Sequence, residues 1–299
     1  MRISERLRYE TVSNRINDAK EQNSQAMEEL ASQRRVEKLS DDPIGASQII
    51  RYRDQIENLR QFQTNIEYSK GFLERSEEAL QAINNNLIRA KELAVAMSND
   101  TYDQNSRDAT GREIREILDE IIQLGNTTFN GRYVFGGFRN QTPTLNLDGE
   151  FMGDDGIVHL EVSAGNFRPV SLNGRNVFEA TPEEMKRGHF NMITSLNLLY
   201  DGMTSNDKDE IHRAMNELEH QLEKTSSGLA TLGAMTNAIS GTASRLSGDE
   251  NLAREQLSNV QDADIYKSTS EFKRTEAVLQ GTLMASTKML QPSLLNFLQ

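Results

Sequence analysis

The sequence predicts a mainly α-helical protein, in which the N-terminal and C-terminal regions together form a long-helix bundle or coiled coil, with a small β-rich insertion in the middle. Two observations predict this fold class. Helix-breaking residues are concentrated centrally, since three of the five prolines and nine of the nineteen glycines lie between Gly131 and Gly188. The flanks instead carry apolar residues at heptad spacing, the pattern of helices that pack along a narrow stripe.

The first forty residues predict a helix whose apolar stripe is interrupted. Its heptad positions are Val12, Ala19 and Ala26, alternating with Ile16, Asn23 and Leu30. Because polar residues such as Asn23 break the stripe, this helix is marginal alone in water. We expect it to be fully ordered only against neighbouring chains.

A hinge follows at Leu39-Ser40-Asp41-Asp42-Pro43. An aspartate at this place can cap the next helix, and proline fits the first helical turn without losing a hydrogen bond. Asp41, Asp42 and Pro43 are therefore predicted to form a hinge and a helix start.

The next region predicts a long helix followed by a shorter one. The long stripe comprises Tyr52, Leu59, Ile66, Leu73, Leu80, Leu87 and Ala94, with Phe62, Ile83, Ala90 and Met97 offset by three. A shorter helix with Ile114, Ile117, Ile121 and Leu124 would complete a bundle.

The centre predicts β structure. Val158, Leu160 and Val162 alternate with polar residues, and Val170-Ser171-Leu172 leads through Asn173-Gly174 toward Val177-Phe178, with further turns at Asp148-Gly149 and Asp155-Gly156. Alternation and Asn-Gly or Asp-Gly pairs are hairpin signals, so we expect a β insertion of roughly fifty residues.

The C-terminal flank repeats the heptad pattern. One stripe runs Ile211, Leu218, Thr225, Leu232, Ile239, Leu246, Ala253 and Val260, interleaved with Met215, Leu222, Leu229, Thr236 and Ala243. A last helix carries Ile265, Phe272 and Leu279, alternating with Leu283 and Leu290. These patterns divide the chain into a terminal helical assembly domain (1–42 plus 258–299), a helical bundle domain (43–135 plus 186–257) and an outward-facing β-rich insertion (136–185).

Charge and composition exclude several function classes. The net charge is −12, and no basic cluster suggests a nucleic-acid partner. Residues 142–185 hold eight acidic and two basic residues, a net of −6, which suits exposure to water. No apolar run is long enough for membrane insertion, and the absence of cysteine rules out disulfides and thiolate catalysis.

Catalytic and metal-binding patterns are absent as well. Residues Gly228 to Gly233 come nearest to a phosphate-binding loop, but Ala234 stands where lysine is needed. Two of the four histidines, His212 and His220, share a helix, yet their spacing of eight does not suit a metal site. We expect no catalytic residue, no cofactor and no metal.

Four segments resemble the bacterial flagellins and their relatives. They are Met1-Arg2-Ile3-Ser4, the hinge Ser40-Asp41-Asp42-Pro43, Asn126-Thr127-Thr128-Phe129-Asn130-Gly131, and Asp262-Ala263-Asp264 through Ser293-Leu294-Leu295. Within that family, the run Asn130, Gly131, Arg132, Tyr133, Val134, Phe135, Gly136 and Gly137 is similar to the hook-associated members. Filament flagellins usually lack the aromatic-x-aromatic-Gly-Gly part of this run.

The resemblance implies a structural subunit at the junction between the flagellar hook and filament. Its terminal helices would line an inner tube and contact the next subunit; our candidates for that interface are Ile16, Leu30, Ile265, Phe272, Leu279 and Leu283. The implied partners are further copies of the chain, flagellin, hook-associated protein 1 and a flagellar export chaperone. The implied location is the extracellular flagellum, reached through the type III export channel without a cleaved signal peptide.

Two alternatives stay open at this point. A short filament flagellin would share the same family features, and a cytosolic coiled-coil scaffold would share the heptad pattern. An enzyme housed in the insertion is disfavoured because roughly fifty residues with one histidine, His159, form too small a core for an active site.

Overall fold

The computed structural model describes residues 2–98 and 102–290. Its elements are α1 (Arg2–Ser32), α2 (Pro43–Met97), α3 (Gln104–Gly125), β1 (Thr128–Phe129), β2 (Arg132–Tyr133), β3 (His159–Ser163), β4 (Asn166–Pro169), α4 (Arg175–Phe178), α5 (Pro182–Lys186), α6 (Met192–Ser205), α7 (Lys208–Gln261) and α8 (Ile265–Leu290). Long helices at both ends with few short strands between them confirm the predicted fold class. The closing motif Ser293-Leu294-Leu295 lies outside the described residues.

The chain divides into two compact units. Unit 1 comprises residues 1–58 and 249–299, and unit 2 comprises residues 59–248. The three-part division that the sequence suggests remains a prediction.

Unit 2 contains a helical core built on the predicted stripes. On α2 the side chains of Leu73, Leu80 and Leu87 are fully buried, and on α7 so are Ile211, Leu218 and Leu232. The hydroxyl of Thr225 on α7 donates a hydrogen bond to Oδ1 of Asn84 on α2 at 2.8 Å, which ties the two helices at one register. Helix α3 packs against α6, whose apolar side chains are also buried.

A buried arginine joins three helix ends of unit 2. Arg107 on α3 donates through Nε to the carbonyl oxygen of Met97 at the end of α2. Its guanidinium also donates to Oδ1 of Asn206, which ends α6 in a left-handed conformation. These bonds satisfy helix-terminal groups that would otherwise lose partners on burial.

The middle of the chain contains two small antiparallel sheets. Strand β1 pairs with β2, and β3 pairs with β4 with an irregularity between Glu161 and Ser163. The predicted strand through Leu160 and Val162 is confirmed by β3.

One prediction for this region is wrong. Val170-Ser171-Leu172 follows the end of β4, and Asn173-Gly174 leads into the short helix α4 instead of a hairpin. Gly174 has right-handed helical backbone angles (φ −63°, ψ −31°), and Val177 and Phe178 are buried on α4. Tertiary burial here overrides the local turn signal.

Unit 1 contains the terminal helices. Helix α1 packs against α8. Contacts of Asn23 with Thr275, and of Glu29 with Ser268, show that the two run antiparallel, since rising numbers on α1 meet falling numbers on α8. Among the described residues of the whole chain, no helix combines the length and apolar character needed to cross a bilayer.

Candidate assembly interface

The seam between α1 and α8 is made of small side chains. On α1 it contains Val12, Ala19 and Ala26, each less than a tenth exposed. On α8 it contains Ser268, Thr275 and Ser286, which are equally buried. Such a seam allows close approach of the helices but removes little apolar surface from water, so it stabilises the pair weakly.

Two hydrogen bonds fix the pairing of these helices. The amide of Asn23 donates to the hydroxyl oxygen of Thr275 at 3.3 Å, and the hydroxyl of Ser268 donates to a carboxylate oxygen of Glu29 at 2.8 Å. Asn23, which interrupts the apolar stripe in the sequence, therefore makes a specific contact across the seam.

Of the six sequence-predicted interface residues, four alternate at heptad spacing with the most buried seam residues: Ile16, Leu30, Phe272 and Leu279. Ile16, Leu30, Phe272 and Leu279 are partly exposed. Ile265 and Leu283 are 53% and 44% exposed. All six keep apolar surface in contact with water within unit 1, which is a requirement for a role in binding a neighbour.

Sequence reasoning missed further exposed apolar residues on the same two helices. They are Leu7, Tyr9, Met27, Tyr266, Val278, Met284 and Met289. All of them except Tyr9, which lies seven residues before Ile16, are outside the heptad stripes, so a search for periodic positions does not find them. Their exposure enlarges the apolar surface that the helix pair offers to a partner.

The segment between α1 and the hinge is held to the break between α7 and α8. The backbone N–H of Arg35 donates to the carbonyl oxygen of Gln261 at 2.8 Å, and the backbone N–H of Ala263 donates to the carbonyl oxygen of Gln33 at 3.0 Å. Gln33 has a positive φ of 55°, which turns the chain out of α1. The guanidinium of Arg35 adds a bond to the carbonyl oxygen of Val260 at 2.8 Å.

The two hinge aspartates act on opposite sides. Oδ2 of Asp41 accepts a hydrogen bond from the backbone N–H of Lys38 at 2.8 Å. This bond lowers the pKa of the Asp41 carboxyl below its usual value. Oδ1 of Asp42 accepts from the N–H groups of Ile44 and Gly45 at 3.1 and 2.9 Å, which is the N-cap geometry. Pro43 is the first residue of α2.

The family motif begins with a tight hairpin. Asn130 and Gly131 both have positive φ, 48° and 75°, as a two-residue turn between β1 and β2 requires. Phe129 packs edge-on against Tyr68 and Phe72 on α2, with ring centroids 5.5 and 6.0 Å away. A Cβ at Gly71 would lie 2.8 Å from the Phe129 ring, so glycine makes room for it.

The rest of the motif forms the core behind this hairpin. Arg132 is exposed and Tyr133 is half-buried, whereas Phe135 is fully buried and packs edge-on against Phe178 at 5.5 Å. Gly136 and Gly137 allow close backbone contacts, because a Cβ on either would lie within 3 Å of neighbouring atoms.

Asp154 organises the loop after the motif. Its Oδ1 accepts from the N–H groups of Phe138 and Gly156 at 2.8 and 2.9 Å. Burial acts to raise the pKa of Asp154, but these two bonds, with Arg139 nearby, hold it below its usual value. Together with the hairpin and the buried Phe135, these contacts show that the family motif forms a turn and packs the core around it.

The structure brings together two histidines that the sequence separates by thirty-one residues. The rings of His189 and His220 stack with centroids 4.1 Å apart. Nδ1 of His189 lies 3.1 Å from Oε1 of Glu217, and Nε2 of His220 lies 3.2 Å from Oε1 of Glu184. In the part of the chain that the structure describes, no group of three or more such side chains is placed to hold a metal ion.

Glu184 also contacts Lys224 and the backbone of Thr181. Burial acts to raise the pKa of Glu184, but the N–H of Thr181 at 2.7 Å and the ammonium of Lys224 lower it to about 2. Burial lowers the pKa of Lys224, and Glu184 opposes that effect. The cluster fastens α5 to α7.

Comparison with known proteins agrees with this arrangement. The model of the bacterial flagellin N-terminal helical region matches residues 3–140, and that of the C-terminal helical region matches residues 215–298. Flagellar hook-associated protein 3 of Salmonella typhimurium is 25% identical over 98% of this chain and 98% of its own. A flagellin of Halalkalibacterium halodurans is 26% identical over 87% of this chain and 85% of its own.

A solved structure shares the fold. The crystal structure of Bacillus cereus FlgL has a TM-score of 0.60 and 24% identity, covering 70% of this chain and 99% of that one. The two matched terminal regions together span more than two thirds of the sequence and contain α1, α2, α3 and α8. The chain therefore belongs to the bacterial flagellin family.

Proposed function

We propose that this chain is a structural subunit of the bacterial flagellum that forms the junction between hook and filament. The observation that carries the proposal is the match to hook-associated protein 3, which extends over 98% of both chains. The similarity therefore includes the central region as well as the terminal helices that all family members share.

The mechanism is helical self-assembly through α1 and α8. Their seam of small side chains leaves the larger apolar residues facing water, including Phe272 and Leu279 in part. A neighbouring subunit that covers these side chains gains apolar burial that the single chain lacks. Head-to-tail contacts between different surfaces produce a helical array when the rotation does not close, so each layer can template the next.

The partners follow from this role. We propose contacts with further copies of the chain, with hook-associated protein 1 on the hook side and with flagellin on the filament side. A flagellar export chaperone would hold α8 before secretion through the export channel, and the assembled subunit would be extracellular. We assign no catalytic activity, because the family relatives are structural proteins.

A short filament flagellin is the second candidate. The observation that favours it is the flagellin of Halalkalibacterium halodurans, which matches 87% of this chain at a similar identity. Both candidates assemble through the same helices, so the position in the flagellum has to distinguish them.

Deletion of the gene tests the proposal. Cells are examined by electron microscopy while flagellin is assayed in the culture medium. Bare hooks with flagellin shed into the medium are expected for the junction role. Loss of the flagellin signal itself would identify the filament subunit, and intact filaments would identify a cytosolic coiled-coil scaffold.

A further inference from the structure

Two histidine–glutamate contacts cross between α7 and the segment that contains α5 and the loop after it. His189 of that loop lies 3.1 Å from Glu217 of α7, and His220 of α7 lies 3.2 Å from Glu184 of α5. Each side of the junction therefore supplies one imidazole and one carboxylate. The two rings stack between these contacts with an interplanar angle of 21°. We call these four side chains the histidine cluster.

The carboxylates determine which nitrogen of each neutral ring carries the hydrogen. An ionised carboxylate only accepts hydrogen bonds. The contacts therefore require a hydrogen on Nδ1 of His189 and on Nε2 of His220. Nε2 of His189 and Nδ1 of His220 keep the lone pairs, so these are the two atoms at which a proton can add. The side chains are 32% and 21% exposed, so both can exchange protons with water.

The charge around the rings favours the uptake of one proton. Glu184 and Glu217 supply two negative charges, and the ammonium of Lys224, 3.4 Å from Glu184, supplies one positive charge. With both rings neutral the net charge is therefore −1, and one added proton brings it to zero. Glu217 and Lys224 are only 7% and 10% exposed, so solvent screens these charges weakly.

The uptake of a second proton is unfavourable. It would stack two positively charged rings with their centroids 4.1 Å apart. Like charges at this separation repel each other and disfavour the doubly charged state. Histidine ordinarily titrates between about pH 5 and 8, so acidification through this range drives the cluster from one proton to two.

The other charged groups near the cluster have partners of their own or face water. Glu179 at the end of α4 accepts from Lys224 through its backbone carbonyl, while its carboxylate pairs with Arg175 at 2.9 Å. Glu219 of α7 pairs with Lys91 of α2 at 3.4 Å. The charged side chains within one helical turn of the cluster on α5 and α7 are exposed: Glu183, Lys186, Arg187, Arg213, Glu219 and Glu223. Exposed charges are screened by solvent and salt, so the buried groups dominate.

We propose that the histidine cluster is a pH-sensitive contact, which holds residues 181–190 against α7 while it carries one proton and releases them in acid when both rings become charged. The loop side moves, because His220 lies within the long helix α7 whereas His189 lies in the connection between α5 and α6. Displacement of His189 also breaks the bond from the backbone N–H of Phe190 to Oε2 of Glu217, which measures 3.0 Å. The cluster lies wholly in unit 2, so the proposal does not depend on the position of the subunit in the flagellum.

The ring signals of the histidines test the coupling between the two protonation steps. The free full-length subunit, labelled with ¹³C in histidine, is titrated from about pH 8.5 to about pH 4.5, a range that brackets ordinary histidine titration. His159 and His212 are exposed and lie outside the cluster, so they serve as internal references. We expect one-step curves for the references and two-step curves, separated by at least about one pH unit, for His189 and His220. One-step curves for both cluster histidines would overturn the proposal.

Amide hydrogen exchange tests the release itself. The protection factor of Phe190, which already corrects for the intrinsic effect of pH, should fall at least about fivefold between about pH 6.5 and about pH 5. The variant His220→Gln retains a side-chain donor for Glu184 but cannot become charged. Phe190 should therefore stay protected in this variant, and the curve of His189 should become a single step. Constant protection in the unchanged protein, or the same fall in His220→Gln, would overturn the proposal.

Two controls keep the exchange measurement decisive. His212→Gln removes an exposed histidine from the same helix and should behave like the unchanged protein. Loss of the pH effect in this control as well would overturn the assignment to the cluster. Circular dichroism checks that His220→Gln retains its helix content, and His189→Gln, which equally prevents the second charge, replaces it if it does not.

Discussion

Gly174 lies directly against the backbone of Phe135, so that a Cβ at position 174 would stand 2.2 Å from the Phe135 carbonyl oxygen. The backbone angles of Gly174 are right-handed and available to any residue. The requirement for glycine is therefore a matter of space, set by the way α4 packs onto the family motif.

Gly174→Ala should destabilise unit 2 by roughly 1–3 kcal/mol, since a clash with backbone cannot be relieved by a side-chain rotation. The matched control is Gly241→Ala in α7, where a Cβ would meet nothing within 4 Å. That change should stabilise the chain by about 0.5–1 kcal/mol, the usual gain for alanine over glycine in a helix. Urea unfolding of both variants checks the opposite signs; equal effects would contradict the packing described here.

Asp42→Ala should weaken the start of α2 by about 1 kcal/mol, because the N–H groups of Ile44 and Gly45 lose their acceptor. Amide hydrogen exchange at these two residues is expected to accelerate roughly fivefold. Asp42→Asn retains a side-chain oxygen that can cap and should exchange like the unchanged chain. Equal acceleration in both variants would show that charge, and not the cap, matters.

Acid should destabilise unit 2 through Glu184. The folded pKa of about 2 lies below the usual value of 4.5, so ionised Glu184 contributes stability above pH 4.5 that is lost as the pH falls toward 2. The slope from this one group is at most about 1.4 kcal/mol per pH unit. Glu184→Gln should flatten the dependence of the unfolding free energy on pH in this window, and an unchanged slope would exclude Glu184 as its source.

Phe272→Asp should block assembly while leaving unit 2 folded, because it places a charge among the partly exposed apolar side chains of α8. Ser270→Asp, an exposed position on the same helix, is the control and should incorporate normally. Incorporation is measured as the recovery of filaments in cells that lack the natural gene. Normal filaments with the Phe272 variant would remove this residue from the proposed interface.

Heptad spacing predicted the helical core well. Every position of the C-terminal stripe from Ile211 to Ala253 is buried, and only the last member, Val260, is partly exposed. A stripe of this length fixes which face of the helix is buried, because any other rotation about the helix axis would expose several leucine and isoleucine side chains to water.

Contacts between distant segments could not be predicted in this way. His189 and His220 meet because α5 and the following loop pack onto α7, a relationship that no local pattern encodes. The sequence patterns also did not predict α6, in which Leu196 and Leu199 are fully buried. Exposure of Tyr266 and Met284 likewise depends on which face of α8 meets α1.

The alanine and serine seam between α1 and α8 also has a mechanical consequence. The most buried seam positions, Ala19 and Ala26 on α1 and Ser268 and Thr275 on α8, all carry small side chains, which offer little interlocking resistance to axial sliding of one helix past the other. Hydrogen bonds such as Asn23 to Thr275 can be exchanged for bonds to water at small net cost. We expect a helix pair joined in this manner to shift its register under strain at small cost, which would let a ring of such subunits absorb the difference in curvature between two tubes.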